Sequence, residues 1–197
     1  RPLGVAESTV DDHCLFCGAV VRADRAVDGV GFASATVGGL DATDAVLRLL
    51  DRLDRDDVRY LLVSGVAPAW FNLLDLDRIA EAADRPVCAV SYEASPGLAP
   101  AIDREFDGDE RAKRLSVYER LPPRRRLGVN GETVFVRSVG LGGRDTPSDE
   151  PGTVPAEVAR VIRAYTPAGG RPEPVRVARL AARGAQTWRA GDADRHG

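Results

Sequence analysis

Two short sequence segments contain residues whose types and positions could support catalysis. They are LGVAES at residues 3–8 and LLVSGV at residues 61–66. Each pattern predicts a buried strand that runs into a turn of small residues, where α/β folds place catalytic groups. A metal-dependent phosphodiesterase on this plan would have an aspartate at each strand end, so that two carboxylates share divalent cations. Those positions hold Ala6 and Ser64, so the sequence predicts a nuclease scaffold that lacks part of its acid cluster.

Four other polar residues could complete such a site. Glu7 could replace Ala6 through a local bulge, or it could be an exposed turn acid, because neighbours in a strand point to opposite faces. Asp41 could serve the site or simply cap the first long helix. Asn72 and Asp75 follow the fourth strand, on the edge where open α/β sheets bind ligands. Alternatively, Asn72 caps the helix predicted to begin near residue 74.

The cysteines and histidines do not predict a metal site. Cys14 and Cys17 are three residues apart in a predicted strand, so their thiols should point to opposite faces, and we expect no zinc. His13 and His196 are the two histidines, and the second lies in the C-terminal tail. A histidine general base or catalytic triad is therefore not expected.

Cationic and aromatic side chains could contact a nucleic acid. Arg176, Arg179 and Arg183 share one face of the last predicted helix and could bind phosphates. All but one of the 27 basic residues are arginine, so a solvated face is the other interpretation. A run of three arginines at 124–126 has the same two interpretations. Trp70 and Phe71 could stack on a base or could cover the edge of the sheet.

Composition sets the broad class of the protein. A length of 197 residues predicts one domain over 1–189 with a flexible tail at 190–197, and the net charge of −3 gives no general attraction to nucleic acid. No apolar run approaches about 18 residues, so we expect no membrane span. Three cysteines are too few for a secreted disulfide framework, which favours a cytoplasmic protein.

The hydrophobic pattern predicts strands, then alternating helices and strands. A three-strand antiparallel meander leads into a helix, a buried parallel strand adjacent to the first, a second helix and a fifth strand. Two more helices, a hairpin with an Asn-Gly turn, a mobile loop and two final helices follow. This order predicts an α/β fold with a mixed sheet flanked by helices, the layout of the ribonuclease H-like fold. The predicted strands span 2–6, 14–23, 26–37, 58–63 and 86–92; the helices 41–53, 74–83, 98–106, 109–121, 155–165 and 175–188; the hairpin 127–136; and the loop 140–152.

Several segments resemble the archaeal endonuclease dU family, which is related in fold to endonuclease V. They are LGV at 3–5, LDAT at 40–43, SGV at 64–66, FNLLD at 71–75 and PEPVR at 172–176. The resemblance covers nearly the whole chain. The amino-acid composition of the chain suggests a salt-adapted, haloarchaeal-like member of the family. Members with unbroken signatures have Gly-Ile-Asp-Asp on the first strand and Asp-Gly-Ile on the fourth, so the acids align with Ala6, Glu7 and Ser64.

The resemblance implies nucleic-acid processing or repair with Mg²⁺ or Mn²⁺, acting on DNA or RNA. It assigns Glu7, Asp41 and Asp75 as catalytic residues and metal ligands. We expect substrate binding by Asn72, Ser64, Trp70 and Arg176. Because the acid cluster is degenerate, we expect weak or absent nuclease activity. The alternative is a non-catalytic protein-interaction or regulatory module on the same fold.

Overall fold

A single mixed sheet of seven strands forms the centre of the molecule in a computed structural model that describes residues 1–142 and 152–193. The strand order is β3-β2-β1-β4-β5-β7-β6. The strands are β1 (Pro2–Val10), β2 (His13–Val21), β3 (Val27–Thr36), β4 (Tyr60–Ser64), β5 (Val87–Ser91), β6 (Arg125–Val129) and β7 (Glu132–Val139). The helical elements are α1 (Ala42–Leu53), α2 (Pro68–Phe71), α3 (Leu76–Ala83), α4 (Ala99–Glu105), α5 (Gly108–Arg120), α6 (Ala156–Ala164) and α7 (Glu173–Ala193).

The predicted meander and the parallel pairing of the first and fourth strands are confirmed. Strands β1, β2 and β3 pair antiparallel, and β1 runs parallel to β4 with Val5 opposite Val63. Ala6 and Ser64 follow those two paired residues, so their backbones lie about one inter-strand spacing apart, roughly 5 Å. The parallel pairing of β1 with β4 therefore ends next to Ala6 and Ser64, although β1 itself continues to Val10.

The hairpin enlarges the sheet beyond the five main strands expected. Strand β7 pairs antiparallel with β5, with Val90 opposite Val136, so the hairpin forms the edge of the same sheet. The Asn-Gly turn between β6 and β7 has both of its central residues at positive φ, as a two-residue hairpin requires. Its local pattern fixes the hairpin but contains no information about which strand it joins.

The sheet carries a separate apolar core on each face. Leu3 and Val5 of β1 alternate with residues that face the other way, and they pack on the side of α1 and α3. Ala6 belongs to the second core, on the side of α6 and α7. Cys14 lies in the first core and Cys17 in the second, so the prediction that these thiols point to opposite faces is confirmed.

Helix α7 packs unusually closely on β1. A Cβ atom added at Gly4 would lie 2.1 Å from the carbonyl carbon of Pro174, far inside van der Waals contact. The glycine therefore allows the backbone at the start of α7 to lie directly against the first strand. This close approach brings the following turns of α7 to the end of β4, where Arg179 and Ser64 line the same space.

Two boundaries differ clearly from the sequence predictions, and one predicted segment lies mostly outside the described residues. Strand β1 continues to Val10, and β1 and β2 pair without interruption, so Glu7 lies within a regular strand opposite Phe16 rather than in a bulge or a turn. Helix α7 continues to Ala193, past the predicted end at Trp188, because no proline follows to stop it. The predicted mobile loop falls largely on 143–151, which lie outside the described residues. Across the described residues, no helix is both long and apolar enough to cross a membrane.

Candidate functional site

A cavity of about 500 Å³ opens where β4 and β5 end, between β7 and α7. Ser64 lines this cavity, so it includes one of the two positions at which a carboxylate was expected. Its cationic lining comes from separate parts of the chain: Arg124 and Arg137 from the hairpin region, Arg171 from the segment before α7, and Arg179 from α7 itself. The charged groups of the lining are therefore mainly guanidinium groups.

Two of these arginines are held rigidly by other groups. The Arg124 guanidinium lies 4.0 Å from the centre of the Phe135 ring and donates to the Ser91 hydroxyl at 3.2 Å. Arg137 donates to the carbonyl oxygen of Pro122. Burial lowers the pKa of both arginines, because a charged group loses hydration when it leaves water. Both side chains therefore hold a positive charge in a fixed position. A bound anion would reduce the free-energy cost of burying that charge.

The other two arginines have unused capacity to bind. Arg171 lies over the Tyr92 ring, 4.5 Å from its centre, and both the Arg171 Nε and the Tyr92 hydroxyl are buried without a hydrogen-bond partner. Burial raises the pKa of Tyr92, and the charges of Arg171 and Arg179 oppose the rise. Glu93 is the one acidic residue of the lining, and among the described residues no carboxylate forms an ion pair with any of these arginines. Uncompensated positive charge beside unpaired buried donors favours an anionic ligand.

These residues do not fit a divalent cation at the ends of β1 and β4. Magnesium and manganese bind carboxylate and other oxygen ligands. Ala6 offers a methyl group that is 2 % exposed, and Ser64 offers one neutral hydroxyl beside the cluster of guanidinium groups. Positive charges would repel a metal ion here, whereas a phosphate would be attracted.

Glu7 and Asp41 do not line this cavity. Glu7 alternates with Ala6 and accepts a hydrogen bond from the Thr9 hydroxyl at 2.8 Å. The pKa of the Cys14 thiol rises to about 11, mainly through burial, and the negative charges of Glu7 and Asp41 both add to the rise. Both carboxylates therefore lie close enough to Cys14 for their charges to affect its thiol. Among the described residues, however, no group of three or more acidic, histidine or cysteine side chains could hold a metal ion.

Asp75 lies elsewhere and has structural partners of its own. Its carboxylate caps α3 by accepting from the backbone N–H of Arg78 at 3.2 Å. Its second oxygen pairs with Arg120 at 3.0 Å. Helix α3 is therefore capped by Asp75, and the interpretation of Asn72 as the cap of this helix is wrong. The assignment of Glu7, Asp41 and Asp75 as metal ligands and catalytic residues stays a prediction.

Asn72 instead caps α1, and the N-cap role predicted for the Asp41 carboxylate is wrong. The Asn72 side-chain oxygen accepts from the Ala42 N–H at 2.8 Å, and its amide donates to Asp41 at 2.7 Å. Burial opposes ionisation of Asp41, but hydrogen bonds from Asn72 and Thr36 outweigh it and hold the pKa of Asp41 below its usual value. This network fixes the start of α1 to the segment after β4.

A left-handed turn precedes Asn72 and exposes a tryptophan. Ala69, Trp70 and Phe71 have φ values of 44°, 57° and 60°, a conformation that costs L-residues about 1 to 2 kcal/mol each. The fully buried Arg114 stabilises it by donating to the Phe71 carbonyl at 3.2 Å. Trp70 contacts Phe106, with ring centres 5.2 Å apart, yet remains 54 % exposed. Much of the ring is therefore free to stack on a ligand.

The arginine stripe on α7 divides between two environments. Arg179 lines the cavity, whereas Arg176 is exposed and pairs with Glu173 at 2.6 Å, and Arg183 is exposed. The sequence reasoning missed Arg137 and Arg171 as site residues. One sequence signal could have identified Arg137. It directly follows the apolar run of β7, where a charged side chain exposed to solvent is not expected.

Comparisons with known proteins agree with this fold. A family model described as Endonuclease dU matches residues 1–186. The UPF0215 protein of Pyrobaculum calidifontis is 29% identical over 190 residues, which cover 94% of this chain and 97% of that protein. A protein of unknown function from Archaeoglobus fulgidus has a crystal structure that matches with a TM-score of 0.71 at 24% identity, covering 92% of this chain and 95% of that one.

A fourth match is endonuclease V from Ciona intestinalis, solved in complex with a 24mer DNA containing an inosine followed by a ribo-adenosine. It matches with a TM-score of 0.57 at 12% identity, covering 94% of this chain and 85% of that one. At this identity the likeness shows the fold alone. The predicted mixed α/β fold, similar to that of endonuclease V, is confirmed.

Proposed function

The chain belongs to the endonuclease dU family, and from this premise we propose that it binds nucleic acid through the arginine-lined cavity, with weak or absent metal-dependent cleavage. One observation carries the proposal. Of the three positions at which the family signature has acids, Ala6 presents a buried methyl group and Ser64 a hydroxyl, and Ser64 lines the same cavity as four arginines that have no carboxylate partner among the described residues. Support for a nucleic-acid ligand comes from the Ciona endonuclease V complex with DNA.

Arginine chemistry accounts for binding without a metal ion. A planar guanidinium donates two parallel hydrogen bonds to phosphate oxygens and is always charged. Arg171 and Arg179 would contact a phosphate directly, while Arg124 and Arg137 would supply fixed positive charge. A divalent ion held by carboxylates would supply an activated water for hydrolysis. In this cavity the arginines would neutralise the phosphate but could not activate water.

Two further contacts complete the proposed interface. Trp70 would stack on a base, and its 54 % exposure supports this role, since base–aromatic stacking contributes about 1 to 3 kcal/mol per base. Asn72 would act indirectly, because it is fully buried and holds α1 against the left-handed turn. Arg176 would form an outer phosphate contact after releasing Glu173. These roles extend the interface from the cavity along the edge of the sheet.

The first experiment measures binding and cleavage separately. Fluorescence anisotropy with labelled single-stranded and duplex DNA, in EDTA and low salt, should give saturable binding by the wild type. Arg179→Ala should weaken it by about tenfold, because one charge-assisted contact is worth about 1.4 kcal/mol. Arg160→Ala removes the same charge from an exposed position on α6 and should have little effect. Absence of binding to DNA and RNA would overturn the proposal and favour a protein-interaction module.

A metal titration tests the second half of the proposal. We expect Mn²⁺ and Mg²⁺ to leave the melting temperature unchanged, because an ion that binds the folded state would raise it. Robust cleavage in Mn²⁺ that Asp75→Asn abolishes, and that exposed Asp84→Asn retains, would overturn this half. That result would assign a rearranged metal site to Glu7, Asp41 and Asp75.

A further inference from the structure

We infer that the arginine-lined cavity binds a terminal phosphate monoester, at the end of a nucleic-acid strand or on a free nucleotide, in preference to an internal phosphodiester. The inference rests on the proposed function, because it names the kind of phosphate that the same cavity takes. The observations that carry it are the number of uncompensated charges, the unpaired buried donors and the arrangement of the walls.

Charge is the first argument. A phosphate monoester carries about −1.5 to −2 charges at neutral pH, whereas a phosphodiester carries one. Arg124, Arg137, Arg171 and Arg179 all line the cavity, and no carboxylate of the described chain pairs with them. Burial already lowers the pKa of Arg124 and Arg137, so a ligand with greater negative charge relieves more of that unfavourable burial. The cavity therefore has more positive charge than one phosphodiester balances.

Unpaired donors are the second argument. The buried Arg171 Nε and the Tyr92 hydroxyl have no hydrogen-bond partner, and a buried polar group without a partner costs free energy. Arg179 and Ser64 line the same space. A monoester offers three terminal oxygens to donors that approach from different sides, whereas an internal phosphodiester offers two and carries chain on both remaining bonds. These donors match the larger set of oxygens.

The walls are the third argument. The lining comes from the ends of β4 and β5, the segment from Tyr92 to Leu98, strand β7 and α7. A volume of about 500 Å³ suits one nucleotide-sized group and lies within the usual range of small-molecule pockets. The end of a nucleic-acid strand places one nucleotide in such a space, whereas an internal phosphate has a flanking nucleotide on each side. The size of the cavity thus agrees with the charge and the donors in favouring an end group.

The test compares oligonucleotides that differ only at their ends. Labelled single-stranded 12mers carry a 5′-phosphate, a 3′-phosphate, a 5′-phosphate methyl ester, or hydroxyls at both ends, and anisotropy is measured in EDTA. We expect one phosphorylated end to bind about tenfold more tightly than the hydroxyl ends. The methyl ester should lose this preference, because it keeps the phosphorus but loses one charge and one terminal oxygen.

Variants and competitors assign the preference to the cavity. Arg179→Ala, on the half-exposed surface of α7, should abolish the preference while the protein stays folded, and Tyr92→Phe should reduce it. Arg160→Ala should retain it. Competition by a nucleoside monophosphate, but not by the nucleoside, would identify the free nucleotide as a source of the same group.

The outcomes separate this inference from the proposed function. If all four 12mers bind equally and Arg179→Ala weakens all of them, the preference for a monoester is wrong and nucleic-acid binding by the cavity stands. If a phosphorylated end is preferred but Arg179→Ala and Tyr92→Phe leave the preference intact, the cavity is the wrong site. If none of the oligonucleotides binds, the proposed function fails as well.

Discussion

Replacing Asn72 with alanine should detach the start of α1 from the segment that follows β4. Asn72 is fully buried and forms three hydrogen bonds through its side chain. Its oxygen accepts from Ala42 N–H at 2.8 Å, and its amide donates to the Thr36 carbonyl at 2.8 Å and to the Asp41 carboxylate at 2.7 Å. Alanine can replace none of them, and the Ala42 N–H is left without its partner in the core.

The magnitude follows from these three bonds. The two neutral hydrogen bonds contribute about 1 kcal/mol each and the bond to the carboxylate about 1.5 to 3 kcal/mol, so Asn72→Ala should reduce the free energy of unfolding by about 3 to 5 kcal/mol. Domains of this kind are stable by only about 5 to 15 kcal/mol. With an m-value of about 2 kcal/mol/M in urea, the unfolding midpoint should fall by roughly 1.5 to 2.5 M.

Urea unfolding of four proteins measures this directly. The wild type, Asn72→Ala, Asp41→Ala and the double variant form a cycle whose coupling energy should be about 1.5 to 3 kcal/mol. Acidity gives a second readout. The pKa of Asp41 is lowered on folding, so its stabilising contribution is complete above about pH 4 and is lost as pH falls through the lowered pKa. Asn72→Ala should weaken that acid dependence.

Two results would refute the reasoning. A loss below about 1 kcal/mol for Asn72→Ala would mean that water or a neighbour replaces all three bonds. A coupling energy near zero would mean that Asn72 and Asp41 stabilise the fold independently, and Asp41 would then be free for another role, including the predicted metal site.

Two further predictions concern close packing and the left-handed turn. Gly4→Ala should destabilise the protein by at least about 2 kcal/mol, because the new Cβ would lie 2.1 Å from the Pro174 carbonyl carbon. Gly128→Ala is the matched control, because its new Cβ would meet nothing within 4 Å. Equal urea midpoints for the two variants would contradict the packing argument. Arg114→Met removes the donor that holds the turn, so limited chymotrypsin digestion should cleave after Trp70 much faster than in the wild type. Unchanged cleavage would show that the turn holds its conformation unaided.

Local patterns determined much of the fold. Alternation of side chains placed Cys14 and Cys17 on opposite faces, because the period of two in a strand does not depend on its neighbours. Short turns made the first three strands antiparallel, and the almost wholly apolar fourth strand indicated a central parallel position. The Asn-Gly dipeptide located the hairpin turn, because a two-residue hairpin needs positive φ at both central residues. The absence of carboxylates at Ala6 and Ser64 is likewise a fact of sequence. The pattern placed the end of β4 within one residue of Ser64, but it ended β1 four residues before Val10.

Tertiary structure decided the partners of the polar side chains. Asp41 occupies the N-cap position of α1 as predicted, but the cap is supplied by Asn72, 31 residues away from Asp41 in sequence. Whether Asn72 caps α1 depends on how the segment after β4 packs against that helix. A local sequence pattern does not specify this packing.

The arginine-lined cavity is even harder to predict from local sequence patterns. Arg124, Arg137, Arg171 and Arg179 meet only because the hairpin joins β5 and because Gly4 lets α7 lie against β1. The sequence predicted a mixed α/β fold and shows that neither Ala6 nor Ser64 carries a carboxylate. Only long-range packing determined that guanidinium groups line the same cavity as Ser64, because the position of a charge in space depends on contacts between elements distant in the chain.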